Sequence, residues 1–369
     1  MAMEAPPEEV YLFVGGTRPE AVKLSPVIMA MRACGRRAVL VATGQHPVLF
    51  HQTLADFGLV ADVDLAVAAA TPAEMLGRLV PLLAGVIAEA GPVAVVVQGH
   101  TTSALAGALA AHYAGVAVVH VEAGLRTGGR EPFPEEMHRR MIGQLADLHF
   151  APTPAAVTAL AREGVTADVV MTGNSGIDAL LWMAARVRGE GVPAVLAGVD
   201  WRRPVVLVTV HRRESHGAGL ARVMAALGAL AGEAEIVLPV HPHPAVAGPL
   251  REGLGGRAGV HLTGPLSYPA FVWAMGRASC VLTDSGGVQE EAPALGLPVL
   301  VMRCATERPE GLTSGHARLV GTCGESILGA VRALLAAGPG AVAEPALPYG
   351  TGDASAQMVG AMVARFGRG

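Results

Sequence analysis

Short runs of valine, isoleucine and leucine alternate along this chain with longer alanine- and leucine-rich segments that have helical spacing. Most of the short runs are evenly apolar and lack the polar–apolar alternation that a half-exposed antiparallel strand shows. Strands that helices cover on both faces have this character, and they occur in parallel sheets. The pattern therefore predicts an α/β fold, with strands at residues 10–15, 38–43, 93–98, 117–121, 148–151, 168–172, 204–210, 235–240, 279–283 and 298–302.

The predicted strands fall into two groups, separated by the stretch GIDALLWMAARVRGEGVPAVLAGVDWRRP, a helical segment followed by a segment with glycine and proline. A chain of 369 residues is long enough for two domains of ordinary size. We predict an N-terminal Rossmann-like domain over residues 1–175 and a C-terminal one over residues 176–350. Residues 351–369 are expected to form a helix that packs back on the N-terminal domain.

Composition excludes several classes of protein. With 51% hydrophobic and 16% charged residues the chain can bury a large core, which argues against disorder. A net charge of −4 argues against a general nucleic-acid or anionic-membrane binder, and no apolar run approaches the ~20 residues of a membrane-spanning helix. The start MAMEAPPEEV lacks the features of a signal peptide. Because the four cysteines lack C-x-x-C spacing, we expect a cytoplasmic protein without disulfides or structural zinc.

Polar, chemically unusual residues gather directly after the predicted strands. In open parallel sheets, ligands bind beyond the carboxyl ends of the strands. Polar clusters at the ends of two sheets therefore predict two Rossmann-like domains that face each other across one ligand-binding cleft. The clusters are GGTRPEAVKLSP, TGQH, QGHTTS and EAGLRTG in the first half, and HRRES, HPHP, DSGGVQEEAP and RCATERPEG in the second half.

The cluster TDSGGVQEEAP has the form of a strand, a tight turn and the start of a helix. Ser285 offers a hydroxyl, and Gly286 and Gly287 let backbone N–H groups approach an anion at the positive end of the helix. Glu290 or Glu291 can reach ribose hydroxyls. A diphosphate site and an ordinary serine-capped helix both fit this motif.

The first cluster, GGTRPEAVKLSP, has the same form, with Arg18 and Lys23 across the junction of loop and helix. Both cations are candidates to face a phosphate. The alternative is a surface arginine and a lysine whose stem lies along apolar surface. Lys23 is the only lysine in the sequence, which weakly indicates a function for it.

The stretch HVEAGLRTGGREPFPEEMHRRM contains candidate acid–base groups. Glu122 ends a buried strand, where charged residues seldom occur without a partner or a ligand. Glu135 and Arg139 are four residues apart on a predicted helix after Pro134, so they can pair on one face. That pair fits acid–base chemistry, and it equally fits a solvated surface pair.

Histidines follow two strands of the second half: His211 follows one, and His241 and His243 follow the next. A His-x-His pair suggests metal binding, but no cysteine or carboxylate stands at a matching spacing. We therefore expect no metal and interpret these histidines as groups that face a diphosphate.

Several of these stretches together resemble the non-hydrolysing UDP-N-acetylglucosamine 2-epimerases of bacteria. They are GTRPEAVKLSPV, TGQH, HVEAGLRTG, PFPEEMHRR, TGNSGIDALL, HRRES, LTDSGGVQEEAPALGLPVLVMR and TERPEG. The resemblance implies a glycosyltransferase-B-like fold, a homodimer, and interconversion of UDP-GlcNAc and UDP-ManNAc without a cofactor. It also implies that UDP is eliminated to leave a bound 2-acetamidoglucal and is re-added after a proton has returned to C2 on the other face.

The resemblance also implies residue roles. The family's proton-handling and sugar-side positions fall on Glu122, Glu135, Arg139 and His100. We count His211 among the catalytic candidates as well, and His241 among the substrate contacts. The family's uridine-diphosphate contacts fall on Arg18, Lys23, His211, Phe271, Ser285, Gly286, Gly287, Glu291 and Arg308.

The catalytic region departs from the family at one position. The family usually reads His-Gly-Asp-Thr-Thr where this chain has QGHTT, so His100 replaces an acidic residue. A neutral imidazole can accept a proton but lends no negative charge to a cationic transition state. The alternative is that His100 only hydrogen-bonds the sugar or the phosphate.

A second departure concerns regulation. Family members that a second UDP-GlcNAc activates usually carry arginine and glutamine where this chain has Ala69 and Ala70. Gln45 and His46 of the same regulatory site are present. The resemblance therefore implies a regulatory site of which only part is kept.

Other functions stay open beside the 2-epimerase. A glycosyltransferase of the same fold would share the nucleotide site, and a regulator that binds a UDP-sugar would lack catalysis. A 2-epimerase acting on a modified 2-acetamido sugar, for example in antibiotic biosynthesis, fits the same motifs. Deuterium from solvent at C2 of recovered UDP-GlcNAc separates an epimerase from a transferase or a binder.

Overall fold

The computed structural model describes residues 9–210, 217–241, 243–306, 308–338 and 345–367, in which strands and helices alternate. The strands are β1 (Val10–Gly15), β2 (Arg37–Ala42), β3 (Val63–Asp64), β4 (Ala94–Gln98), β5 (Ala117–Val121), β6 (Leu148–Ala151), β7 (Asp168–Met171), β8 (Val205–Thr209), β9 (Glu235–Pro239), β10 (Val260–Thr263), β11 (Cys280–Thr283), β12 (Val299–Val301) and β13 (Ala317–Leu319).

The helices are α1 (Arg18–Ala33), α2 (Pro47–Asp56), α3 (Pro72–Ala90), α4 (Thr102–Tyr113), α5 (Glu135–Leu145), α6 (Pro154–Arg162), α7 (Ser175–Val187), α8 (Ala218–Leu230), α9 (Pro244–Leu254), α10 (Tyr268–Met275), α11 (Gly286–Ala294), α12 (Pro309–Thr313), α13 (Gly324–Ala337) and α14 (Ala354–Phe366). A short 3-10 helix covers Ala194–Leu196.

The described strands form two parallel sheets, which confirms the predicted α/β class. Their orders are β3-β2-β1-β4-β5-β6-β7 and β10-β9-β8-β11-β12-β13. In the first sheet Val14 lies opposite both Val41 and Val97, so an evenly apolar run fills the centre. Each order reverses once, between β1 and β4 and between β8 and β11, and ligands bind where such a sheet reverses. That the two domains face one cleft stays a prediction.

The sequence pattern did not predict three of the strands, β3, β10 and β13. All three are edge strands of their sheets. They are short, and no residue of β3 or β10 is fully buried. An edge strand has a neighbour on one side only, so its residues need not form an evenly apolar run.

The chain divides into two compact units. The first unit extends to Ala179 and resumes at Tyr349, and the second comprises Leu180–Pro348. Within the first unit α14 packs against α1, and the Tyr11 hydroxyl donates to the carbonyl of Met362 at 3.5 Å. The C-terminal helix therefore completes the first unit.

Each unit has its own apolar core. In the first unit, side chains of β1 and β4 pack with those of α3 and α4. In the second, side chains of β8, β9 and β11 pack with those of α8, α9 and α13. In the part of the chain that the structure describes, no helix is long and apolar enough to cross a membrane.

Two titratable rings are buried in the first unit. His120 on β5 and His149 on β6 are fully buried, with ring centroids 6.1 Å apart. Burial lowers the pKa of His120 to about 3 and the pKa of His149 to about 4, from the ordinary 6.5. Because both folded-state pKa values lie below the unfolded value, the unfolded chain binds more protons in acid. Above pH 6.5 both rings are neutral in the folded and the unfolded chain, and the free energy of unfolding is not reduced. It decreases as the pH falls from 6.5 toward 4 and 3, because the unfolded chain takes up protons that the buried rings do not.

Replacing His149 with phenylalanine should make the fold less sensitive to acid. Between pH 7.5 and pH 5.0 each buried histidine should cost the native chain about 2 kcal/mol of unfolding free energy. The variant should therefore lose about 2 kcal/mol less than the native chain over this interval. Urea denaturation at both pH values measures the difference. His112→Phe, at an exposed position of α4, is the control, and equal losses in all three proteins would contradict the prediction.

Candidate functional site

A carboxylate, an ammonium group and an amide meet at the carboxyl ends of β5 and β7 in the first unit. The Glu122 carboxylate directly follows β5 and is 6% exposed. Lys23, from the second turn of α1, forms an ion pair with Glu122 Oε2, and Asn174 Nδ2 donates to the same oxygen at 2.9 Å. Lys23, predicted to face a phosphate, therefore contacts the predicted acid–base group. Asn174, in the TGNS stretch after β7, was missed among the candidates.

The backbone of Glu122 is in the left-handed region, with φ of 63°. Residues other than glycine rarely adopt this conformation, and it costs free energy that the surrounding structure must offset. Gly99, in the turn after β4, also has a positive φ of 70°, and a Cβ there would lie 3.9 Å from Glu122 Oε1. Strained backbone of this kind clusters at functional sites, so it supports a functional role for Glu122.

The same turn carries His100. His120 Nε2–H donates to the carbonyl of Gly99 at 2.8 Å, and His138 Nδ1–H donates to the carbonyl of His100 at 3.1 Å. Arg139 Nη2 lies 3.3 Å from His100 Nδ1. Because a guanidinium only donates, Nδ1 is the acceptor, and the neutral His100 ring carries its proton on Nε2. The structure thus brings Arg139 to His100.

Helix α5 differs from the prediction in one ion pair. Arg139 Nη1 lies 3.5 Å from the carboxylate of Glu136, three residues away, rather than on Glu135. Glu136 and Arg139 are both buried, and positions three apart on a helix are neighbours as close as positions four apart. Glu135 is the first residue of α5, and its Oε2 is buried without a hydrogen-bond partner in the described structure. A buried carboxylate oxygen without a partner is unusual, so Glu135 stays a candidate functional residue.

In the loop after β1, two backbone N–H groups are hydrogen-bonded within the protein and are not available to a phosphate. The carboxylate of Glu20 accepts from the backbone N–H of Gly16 at 3.0 Å and from that of Thr17 at 2.8 Å. Its pKa is raised above the ordinary value by burial, against the effect of these hydrogen bonds. An internal carboxylate therefore fills this glycine-containing helix start, and the half-buried Arg18 beside it is a candidate phosphate contact.

The predicted regulatory residues follow β2. Gln45 Oε1 accepts from the backbone N–H of Ser103 at 3.2 Å and from its hydroxyl at 2.7 Å, at the start of α4. His46 is the N-terminal cap residue of α2, and its backbone N–H donates to the carbonyl of Gly16 at 2.7 Å. Burial lowers the pKa of His46. Gln45 and His46 therefore lie beside the loops after β1 and β4.

In the second unit, α11 begins at Gly286, directly after β11 and Ser285. The Ser285 side chain does not cap the helix, which argues against the ordinary capped-helix interpretation. The guanidinium of Arg308 packs against this start: a Cβ on Gly286 would lie 2.6 Å from Arg308 Nη1. Arg308 is 7% exposed, and its Nε donates to Glu290 Oε1 at 2.6 Å. A helix N-terminus next to a buried guanidinium suits a diphosphate.

The other predicted residues of the second unit lie around α10 and α9. Tyr268 of α10 donates to Glu291 Oε1 at 3.1 Å, and Phe271 is half-buried on the same helix. His241 is exposed, and its Nδ1 accepts from the backbone N–H of His243 at 3.2 Å. His211 lies outside the described residues. Over the described ranges, no group of three or more histidine, cysteine, aspartate or glutamate side chains is placed to hold a metal ion.

Comparisons with known proteins identify the family of the chain. Residues 30–363 match the model of the UDP-N-acetylglucosamine 2-epimerase family. A UDP-N-acetylglucosamine 2-epimerase of Escherichia coli K12 is 42% identical over 366 residues, covering 95% of this chain and 97% of the relative. One of Bacillus subtilis 168 is 40% identical over 365 residues, covering 96% and 95%.

A solved structure extends the likeness to three dimensions. The crystal structure of UDP-GlcNAc 2-epimerase from Neisseria meningitidis bound to UDP-GlcNAc matches with a TM-score of 0.89 and 35% identity, covering 97% of this chain and 100% of that one. The fold is therefore the glycosyltransferase-B-like α/β fold of these proteins. Since the family match spans most of the chain, this protein belongs to the UDP-N-acetylglucosamine 2-epimerase family.

Proposed function

We propose that the chain is an isomerase that interconverts UDP-GlcNAc and UDP-ManNAc. The relatives at 40–42% identity carry the name UDP-N-acetylglucosamine 2-epimerase. The observation that carries the proposal is the Glu122 site: a buried carboxylate on strained backbone, held by Lys23 and Asn174, next to the turn that bears His100. A nucleotide-binding module would not need such a carboxylate.

The chemistry begins with loss of UDP. A base takes the proton from C2, the C–H electrons form a C1=C2 double bond, and the C1–O bond breaks with its electrons going to the β-phosphate. The products are UDP and 2-acetamidoglucal. Return of a proton to C2 on the other face and attack of the phosphate oxygen at C1 give the epimer. The C2 hydrogen becomes acidic only as positive charge grows at C1, so stabilising the departing diphosphate assists both steps.

Residues of both units are assigned roles in this proposal. Glu122, Glu135 and His100 of the first unit handle protons at the hexose, and Arg139 hydrogen-bonds His100. General acid–base groups of this kind contribute roughly 10²–10⁴-fold to a rate. His211 is proposed to belong to the same set. The proposed UDP-sugar contacts are Arg18, Lys23, His241, Phe271, Ser285, Gly286, Gly287, Glu291 and Arg308.

Regulation, assembly and compartment are further parts of the proposal. Gln45 and His46 are proposed to contact a second UDP-sugar that regulates the enzyme. A homodimer is supported by exposed apolar side chains at Phe133, Met137 and Met141, which dimer formation would cover. A cytoplasmic location is supported by the cysteines, all of which are free thiols.

Proton NMR of UDP-GlcNAc with the purified protein in heavy water tests the function. We expect UDP-ManNAc to appear, with deuterium at C2 of both nucleotide sugars. Transfer of the sugar to an acceptor, or binding without exchange at C2, would replace the epimerase with one of the alternatives. Release of UDP and free ManNAc would indicate a hydrolysing enzyme instead.

Substituting His100 should show whether it takes part in proton transfer. His100→Ala should lower turnover by roughly 10²-fold, the lower end expected for a lost general acid–base group. His100→Asp should keep most of the activity, because a carboxylate can also accept from Arg139 and carry a proton. Initial rates by NMR at neutral pH measure both effects, and wild-type activity in His100→Ala would exclude a catalytic role.

A further inference from the structure

The carboxylate of Glu20 hydrogen-bonds both the loop after β1 and the turn after β4. The strand order of the first sheet reverses between these two strands. Glu20 is 0% exposed. Besides the backbone N–H groups of Gly16 and Thr17, it accepts from the Thr17 hydroxyl at 2.8 Å. Its other oxygen accepts from the hydroxyl of Thr101 at 2.5 Å. Three of these four donors belong to the loop after β1, and the fourth belongs to the turn after β4.

Thr101 is the residue next to His100 and the N-cap of α4. Its hydroxyl oxygen accepts from the backbone N–H of Ala104 at 3.0 Å while the same hydroxyl donates to Glu20. An ordinary threonine cap needs only the first of these bonds. Thr153, the N-cap of α6, is such a case: it is buried and accepts from the N–H of Ala156 at 3.3 Å. The bond to a carboxylate on another helix therefore adds a constraint that capping does not require.

The turn that carries His100 is held from several sides. The N–H of Gly99 donates to the carbonyl of Val121 at 2.9 Å. The Gly99 and His100 carbonyls accept from His120 and His138, as described above. Thr101 supplies the only one of these restraints that reaches α1, the helix from which Lys23 contacts Glu122. Through Glu20, the position of His100 is thus tied to the element that holds Glu122.

We propose that Glu20 is a positioning residue: its carboxylate, acting through Thr101, holds His100 in register with the Lys23–Glu122 pair. This inference rests on the proposed epimerase function. Because Glu20 is fully buried, it acts through Thr101 and not by direct contact with the sugar. Its effect is on geometry, and small displacements of reacting groups cost a large part of a rate.

Three threonine variants test the proposal. Thr101→Val removes the hydroxyl at nearly constant size, Thr101→Ser keeps it, and Thr153→Val removes a cap hydroxyl that has no carboxylate partner in the described structure. We expect Thr101→Val to lower kcat by about 10- to 100-fold, with KM for UDP-GlcNAc within about twofold. Thr101→Ser should restore kcat, and Thr153→Val should leave kcat unchanged although it lowers Tm through the loss of a helix cap.

A double-mutant cycle connects the effect to the carboxylate. Glu20→Gln should lower kcat to a similar extent, because an amide cannot accept from all four donors. The variant that combines it with Thr101→Val should be little slower than either single variant, since interacting residues are not additive. Full kcat in Thr101→Val, equal kcat losses in Thr101→Val and Thr153→Val, or additive losses in the cycle would overturn the proposal.

Hydrogen exchange tests the positioning role of Glu20 independently of the proposed epimerase function. If the native protein epimerises nothing, the proposed function fails, and the positioning of the turn can still be measured. The amides of residues 99–101 should then exchange faster in Thr101→Val than in the native chain, and at the native rate in Thr153→Val. Equal exchange at these amides in all three proteins would overturn the role of Glu20 by itself.

Discussion

Glu122→Gln should lower kcat for epimerisation by roughly 10²- to 10⁴-fold, the loss expected when a general acid–base group is removed. Glutamine has the same size and can still accept from Asn174 Nδ2, so the hydrogen bond that orients the side chain survives. It cannot hold a proton in transit, and it leaves the Lys23 ammonium without its carboxylate partner. Loss of UDP-ManNAc formation and of deuterium uptake at C2, both by NMR, measures the effect.

The matched control is Glu235→Gln. Glu235 is also a buried carboxylate, and it pairs with Arg203 and His261 at the first residue of β9. That position is at the opposite end of a strand from the ligand-binding edge, so the variant should keep native turnover. UDP affinity should be little changed in both variants. A Glu122→Gln enzyme with native kcat would remove Glu122 from the mechanism.

Gly286→Ala should raise the dissociation constant for UDP by about 10- to 100-fold, the equivalent of one lost charge-assisted hydrogen bond. The new Cβ would lie 2.6 Å from Arg308 Nη1, so the guanidinium must leave its place at the start of α11 and its bond to Glu290. Isothermal titration with UDP measures the change directly, without dependence on turnover.

Gly324→Ala provides the control for this prediction. Gly324 is likewise the first residue of a helix in the second unit, and its added Cβ would meet only the carbonyl of Arg222 at 3.5 Å, an ordinary contact. UDP affinity should stay within about twofold of the native value in this variant. Equal affinities of the Gly286 and Gly324 variants would mean that the arginine at the start of α11 does not contact the diphosphate.

The sequence predicted the central strands because burial on both faces requires evenly apolar runs. The strands β1, β4 and β5 lie in the middle of the first sheet and were predicted within a residue. Of the four described edge strands, β3, β10 and β13 were not predicted and β7 was, since an edge position does not require an evenly apolar run. Their existence depends on the neighbouring strand, which local sequence does not describe.

In the candidate site too, local sequence predicted some residues, and others depend on contacts with distant parts of the chain. Glu122 was recognisable because a carboxylate at the end of a buried strand demands a partner, and the structure supplies Lys23 and Asn174. The roles of Asn174 and Glu20 were not predictable, because each depends on a contact between residues far apart in the chain. The choice of Glu136 over Glu135 as the partner of Arg139 depends on which face of α5 is buried.

Positional oxygen exchange tests most directly whether the C1–O bond breaks in the site. UDP-GlcNAc is prepared with oxygen-18 between C1 and the β-phosphorus and is incubated with the native enzyme. If UDP departs and returns, the β-phosphate can rotate before re-addition, and the isotope should move into its non-bridging oxygens as UDP-ManNAc forms. Epimerisation with all of the oxygen-18 kept in the bridging position, however long the incubation, would contradict elimination and re-addition.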